Sequence, residues 1–358
     1  MHIDPKGILL PLLLIIILPT LVFSERCNLE LKDEGKGTHL VVENCHDIGT
    51  ISVGALYKGR WMKLTYHYPR TWEGTFISVI VDGRVYANSE NPSDVSRERE
   101  NHMDSYIEEM PAIQGDNITT RWRLPGRILV EEKLQLMENG TRIHIKLTNE
   151  DTEAVNAGVR IQLDTMLGGN DGAPVYVPGD GLISTETEYS GNYLNFDYWK
   201  AYNRKDQPSI ISTGILYGQG LSYPSKLVIA NWKKSMYSSW DYKVDTANSI
   251  LWDSAVLLYY KPVTIDALGS VTFTTIYKNG QPILPTSRGY FGIAEIVPDK
   301  VSKTYCPGDN LSIDVDVINR GDETEGSVKI EIEDNTGIIV HRDTKSTGRV
   351  DMGSVNTI

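Results

Sequence analysis

The feature that most limits what this chain can fold into is an alternation of apolar and polar residues at every second position. In residues 142–148 (RIHIKLT), Ile143, Ile145 and Leu147 share one side, while Arg142, His144 and Lys146 share the other. Residues 311–317 repeat this with Leu311, Ile313, Val315 and Val317 against Asp314 and Asp316, and 328–333 do so with Val328, Ile330 and Ile332. Successive side chains of a strand point to opposite faces, so a period of two marks strands buried on one side. Asp82-Gly83 falls between FISVIV and RVYA, and Asn139-Gly140 between KLQLM and TRIHIKL. Both pairs suit the tight hairpin turns that need positive φ. Residues 94–110 are the best helical candidate in the mature chain, but they are charge-rich and weakly amphipathic. The expected fold class is all-β, a large antiparallel β-sandwich followed by a small immunoglobulin-like β-sandwich module.

The N-terminus sets the compartment. MHIDPKG precedes an unbroken apolar run of sixteen residues, ILLPLLLIIILPTLVF, with Ser24 ahead of Glu25 and Arg26. As a helix that run is about 24 Å long, short of the roughly 30 Å hydrocarbon core of a bilayer. Val22 and Ser24 are small enough for signal-peptidase processing. Residues 1–24 therefore read as a signal peptide, and the protein as extracellular or at the cell surface. It would be membrane-anchored only through this segment, if it stays uncleaved. Charge agrees, since 47 acidic against 35 basic residues leave a net −12. Nucleic acid, which rewards clustered Lys and Arg, is an unsuitable partner.

Cys27 and Cys45 bracket a hairpin-like stretch and are expected to form a disulfide in an oxidising compartment. Cys306, in TYCPGDN, reads as a small buried residue. Sequons at Asn117, Asn139 and Asn310 lie in turn-like contexts and are candidate glycosylation sites.

About 334 residues follow the leader, which suggests two domains. All seven Trp precede residue 290, and residues 291–358 carry thirteen acidic against seven basic residues. The expected division is a large sandwich over 25–290 and an immunoglobulin-like module over 291–358. That module is truncated or minimal, because such modules need about a hundred residues. Within the large domain, residues 88–118 read as a polar loop or flap.

The chemically richest stretch is residues 163–181, LDTMLGGNDGAPVYVPGDG. It offers three aspartates, two prolines and several glycines between apolar runs. There is no G-x-S-x-G elbow, no zinc-like pairing of Cys or His, and no visible catalytic triad. Three readings stay open for this loop: a carbohydrate-active carboxylate pair, a calcium loop and a rigid corner. The corner reading has Asp164 accepting hydrogen bonds from the glycine N–H groups of 168–172. The candidate ligand-binding residues are Asp164, Asn170, Asp171, Asp180, Trp199 and Tyr202, with Ca²⁺ as the candidate ion. An enzyme would use Asp164, Asp171 and Glu186.

The segments VRIQLDTMLGGNDGAPVYVPGDGLISTETEY, YLNFDYWKAYN, STGIL, PSKLVIANW and WDSAVLLYYKP resemble a family of secreted archaeal and bacterial surface β-sandwich proteins of unassigned function. Their sheets are loosely similar to galactose-mutarotase-like sandwiches, and residues 291–358 resemble a CARDB-type immunoglobulin-like module. The His and Glu of mutarotase chemistry have no counterpart motif here, so that activity does not carry over. The family has no established reaction, so the resemblance supports the architecture more than the function; the expectation is a secreted or cell-surface, non-enzymatic protein that binds carbohydrate or other surface proteins, or serves as an envelope or adhesion scaffold. The alternative is the carbohydrate-active enzyme just named.

Overall fold

The structure, a computed structural model, describes residues 27–71, 74–205, 208–218, 220–280 and the strand segments 291–298, 313–319, 324–333, 339–350 and 355–357. The expectations for the leader, Cys306 and Asn310 fall outside the described residues. The fold is all-β and sandwich-like. Among the described residues no helix is long and apolar enough to cross a membrane.

Three antiparallel sheets build the large region. The first is a four-stranded meander running from Asn28–Asp33 to Arg60–Lys63. The second has nine strands, with Gly140–Asn149 and Ser270–Asn279 near its middle and Ile107–Gln114 at one edge. The third has six strands in the order Thr187–Ser190, Lys226–Asn231, Ser254–Ile265, Val155–Thr165, Phe76–Val81 and Arg84–Ala87. One hydrophobic core joins side chains of all three sheets, including Val53, Ile145, Ile161 and Leu258. The alternation read from sequence is realised in Ile128–Met137, where every second residue is buried.

The strand Ser254–Ile265 is apolar on both faces, and its first seven residues are all buried. Val256, Leu258 and Tyr260 enter the main core. Ala255, Leu257 and Tyr259 pack on the other side against Phe76 and Trp232, with Trp240 and Tyr242 laid over them. A strand covered on both sides belongs at the sheet centre.

Both hairpin turns occur, by different means. Asp82 and Gly83 have φ of 47° and 86°, a two-residue turn with both positions left-handed. At the second, Asn139 alone has positive φ, and Gly140 is already paired with Met137. Gly140 is needed for space, since a Cβ there would lie 2.3 Å from Cβ of Lys278.

Residues 88–118, read from sequence as a polar loop or flap, are more regular than that. Ser93–Arg97 is a single helical turn, two short 3₁₀ turns follow, and Ile107–Gln114 is an edge strand. The strand pairs with Asn117–Leu124 through two irregularities, and sheet pairing outweighs the weak helical propensity of the segment. Cys27 and Cys45 are joined as a disulfide with Cα atoms 5.1 Å apart. Asn117 opens a strand beside the turn from Gln114, and Asn139 sits in its hairpin turn. Toward the C-terminus, Phe291–Pro298, Ile313–Asn319 and Val355–Thr357 form one small antiparallel sheet, while Thr324–Glu333 and Ile339–Val350 form another.

Candidate functional site: a carboxylate corner

The two long central strands of the six-stranded sheet run antiparallel, from Val155 opposite Ile265 to Thr165 opposite Ser254. The end of one strand therefore lies beside the start of the other. Asp164 sits on the first, and Asp253 immediately precedes the second. The glycine loop carries Asp171 into the same place, because its carbonyl accepts hydrogen bonds from the N–H of Ser254 (3.0 Å) and from Ser254 Oγ (3.3 Å). Thr165 Oγ1 and Ser254 Oγ close the junction at 2.8 Å.

Gly172 makes this approach possible. A Cβ on it would meet the carbonyl oxygen of Leu251 at 1.8 Å, so the backbones on either side of the corner touch. One carboxylate oxygen from each of Asp164, Asp171 and Asp253 lies within 4.8 Å of the others. Asp164 is fully buried, Asp253 is 4% exposed and Asp171 is half-buried. Among the described residues, nothing donates a hydrogen bond to the buried Asp253 Oδ1 or Asp171 Oδ1.

Burial raises the pKa of Asp253, and the neighbouring charge of Asp171 raises it further, with Lys233 acting against both; the result is about 7. Asp171 is also raised, first by burial, against the opposing charges of Lys233, Lys63 and His67. Two carboxylates this close resist ionising together. Such an arrangement suits a hard divalent cation, which takes several oxygen ligands from carboxylates and backbone carbonyls.

The sequence-predicted residues separate into two groups. Asp164 and Asp171 belong to the corner, although Gly168 and Gly172 direct their N–H groups to acceptors other than Asp164. Gly168 N–H donates to Lys63 O (3.0 Å) and Gly172 N–H to Asn170 Oδ1 (3.1 Å). Asn170 also donates from its amide to Asn203 O (3.1 Å), which makes it a brace of the loop. Asp180 is exposed and accepts a hydrogen bond from the Tyr189 hydroxyl at 2.9 Å. Trp199 cannot serve as a stacking platform. It is fully buried, its ring lies 5.7 Å from that of Tyr277, and it fills the space over Gly214. Tyr202 is half-buried and meets Tyr176 edge-on.

Glu186 is likewise no free acid. Fully buried, it accepts from the Tyr242 hydroxyl (2.6 Å), Asn231 N–H (3.1 Å) and Asp245 N–H (2.9 Å). It pins the covering segment and stands outside the trio.

The residue that sequence reasoning missed is Asp253. Its signal was position, since it directly precedes a strand whose two faces are both apolar, in DSAVLLYY.

A second cluster is internally satisfied. His102 Nε2 lies 2.8 Å from Asp47 Oδ1, and its Nδ1 lies 3.7 Å from Asp104 Oδ2. Asp47 also accepts from Glu90 N–H and Asp104 from Ile48 N–H. The imidazole thus clamps the turn around residue 47 to the segment 99–106. Burial is the largest influence on His102 and works downward, but the hydrogen bond to Asp47 and the charges of Asp104, Asp47 and Glu90 together outweigh it, and its pKa is raised. A raised folded-state value means that the stabilisation is complete below the ordinary value near 6.5 and is lost as pH rises through the higher folded value. Melting of wild type and His102→Gln between about pH 5.5 and 8.5 is expected to show the wild-type advantage shrinking toward alkaline pH. A gap that is constant or widens with pH would contradict the clamp.

No protein-family model and no curated protein matches the chain. Solved structures similar to it include the Slr1438 protein of Synechocystis sp. PCC 6803, at 10% identity and TM-score 0.43, over 71% of this chain and 95% of that one. A galactose mutarotase related enzyme of Lactobacillus acidophilus matches at 9% identity and TM-score 0.37, over 71% and 97%. The 4-alpha-glucanotransferase of Thermococcus litoralis matches at 13% identity and TM-score 0.38, over 72% of this chain but 38% of its own length.

Proposed function

We propose that this chain is a non-enzymatic β-sandwich protein of the cell exterior, whose carboxylate corner binds Ca²⁺ and thereby fixes the junction between its two central strands. One observation carries the reading: among the described residues, nothing donates a hydrogen bond to one oxygen of the buried Asp253 carboxylate, which faces two further carboxylates. A buried charge of this kind is costly unless it is paired or coordinates a metal. The apolar leader, the Cys27–Cys45 disulfide and the sequons at Asn117 and Asn139 support an exterior setting. There Ca²⁺ sites of modest affinity, with dissociation constants of about 10⁻⁴–10⁻³ M, are filled. The expected role is a recognition or scaffold surface held rigid by the ion. Against the enzymatic alternative stands Glu186, whose carboxylate is committed to three donors away from Asp164 and Asp171.

The test is thermal melting in EDTA, Mg²⁺ and Ca²⁺. Calcium at about a hundred times its dissociation constant adds about 2.7 kcal/mol to the folded state, a rise of roughly 5–11 °C for a domain of this size. Magnesium, which demands near-octahedral geometry and sheds water reluctantly, is expected to add less. Asp253→Asn is expected to lose the calcium response, yet to melt at or above wild type in EDTA, because it replaces an unpartnered buried acid by an amide. A wild-type midpoint indifferent to Ca²⁺ would leave the trio holding a shared proton and would overturn the proposal.

A further inference from the structure

A second site lies on the same sheet, away from the carboxylate trio. The segment that covers its outer face meets the short helix Ser93–Arg97 around a cavity of about 430 Å³. This is within the range of small-molecule sites, about 300–1,000 Å³. Its walls combine two aromatic side chains, Tyr237 and Trp240, with Asp94, Asp241 and Arg97. Tyr237 lines the cavity and is 58% exposed.

The walls are fixed from beneath. The fully buried Arg160 donates to Trp240 O (3.0 Å) and Ser238 Oγ (3.1 Å), and the Tyr259 hydroxyl donates to the same Trp240 carbonyl (3.0 Å). The Trp240 ring stands edge-on to Tyr259, with centroids 6.0 Å apart. On the far wall, Ser93 N–H donates to Tyr237 O at 3.0 Å, and Ser239 Oγ is bonded to Asp94. Asp241 and Arg97, by contrast, are exposed and make no ion pair among the described residues.

We infer that this cavity binds a neutral saccharide. Its aromatic side chains suit the C–H faces of a pyranose. Carboxylates that accept, with a guanidinium that donates, suit ring hydroxyls, which do both. Two acidic groups against Arg97 in the walls and Arg160 beneath them leave no net positive charge, a weak basis for binding sulfated or uronic polymers. The inference is independent of the calcium corner.

The test is to screen the chain on an array of neutral glucans, mannans, galactans and xylans beside sulfated and uronic polysaccharides, and to titrate the best binder by calorimetry in EDTA. Tyr237→Ala and Asp241→Asn alter exposed side chains and are expected to leave melting unchanged. Each is expected to raise the dissociation constant at least tenfold. Trp252→Ala, at the 83%-exposed tryptophan beside the corner, is expected to leave it unchanged. Absence of binding to any neutral glycan, binding confined to the anionic polymers, or affinity untouched by Tyr237→Ala and Asp241→Asn would each overturn the inference.

Discussion

Replacing Arg160 with Met is expected to destabilise the chain strongly, by about 3 kcal/mol, because several buried acceptors lose their donor at once. At 3 kcal/mol that is a fall in Tm of roughly 6–12 °C. The guanidinium is completely buried and donates to Trp240 O and Ser238 Oγ, to Gln162 Oε1, and more distantly to Ser235 O. Its plane also lies over the rings of Phe76 and Tyr259, 5.8 and 5.7 Å from their centroids. Met restores the apolar contact but leaves buried acceptors without donors, which is what makes such losses large. Lys fares little better, since a point charge cannot serve a planar set of partners. Chemical denaturation of wild type, Arg160→Met and Arg160→Lys measures this. A loss below about 1 kcal/mol would show that the covering segment stands without its bracket.

Gly172→Ala is the second large effect. The added methyl would lie 1.8 Å from the Leu251 carbonyl oxygen and 2.6 Å from the Trp252 nitrogen. These are backbone atoms that cannot swing aside, so the two sides of the corner must separate. Overpacking typically costs about 1–3 kcal/mol, and a clash with main chain belongs at the upper end. The change also moves Asp171 away from Asp253 without altering either, so the melting response to Ca²⁺ is expected to vanish with it. Gly169→Ala, where a methyl would meet nothing within 4 Å, is the matched control and is expected to keep both stability and response. Loss of stability with the calcium response intact would break the link between backbone contact and ion site.

What the sequence made legible follows from the range of the interactions. Alternation is a local property, so the class of fold and the two hairpins could be read from short windows. The trio could be read only in part. Asp164 lies at the end of a strand and Asp171 seven residues on in the glycine-rich loop that follows, whereas Asp253 joins them through the antiparallel pairing of two strands distant along the chain. No local pattern reports such a meeting. Trp199 misled for a related reason. An aromatic cluster reads the same whether it lines a groove or fills a core, and here the open space over Gly214 takes the indole inside. The residues that do present aromatic surface beside polar groups, Tyr237 and Trp240, stand in a segment whose conformation is dictated by Arg160 on another strand. Glu186 looked like a candidate acid by proximity in sequence, and its three donors come from residues 231, 242 and 245.

The most direct measurement is calorimetric titration of Ca²⁺ into the EDTA-stripped chain and into Asp253→Asn. A single ion per chain, bound at least tenfold more weakly by the variant, is the predicted result. No uptake by wild type, or uptake of equal affinity in Asp253→Asn, would contradict calcium binding at the carboxylate corner.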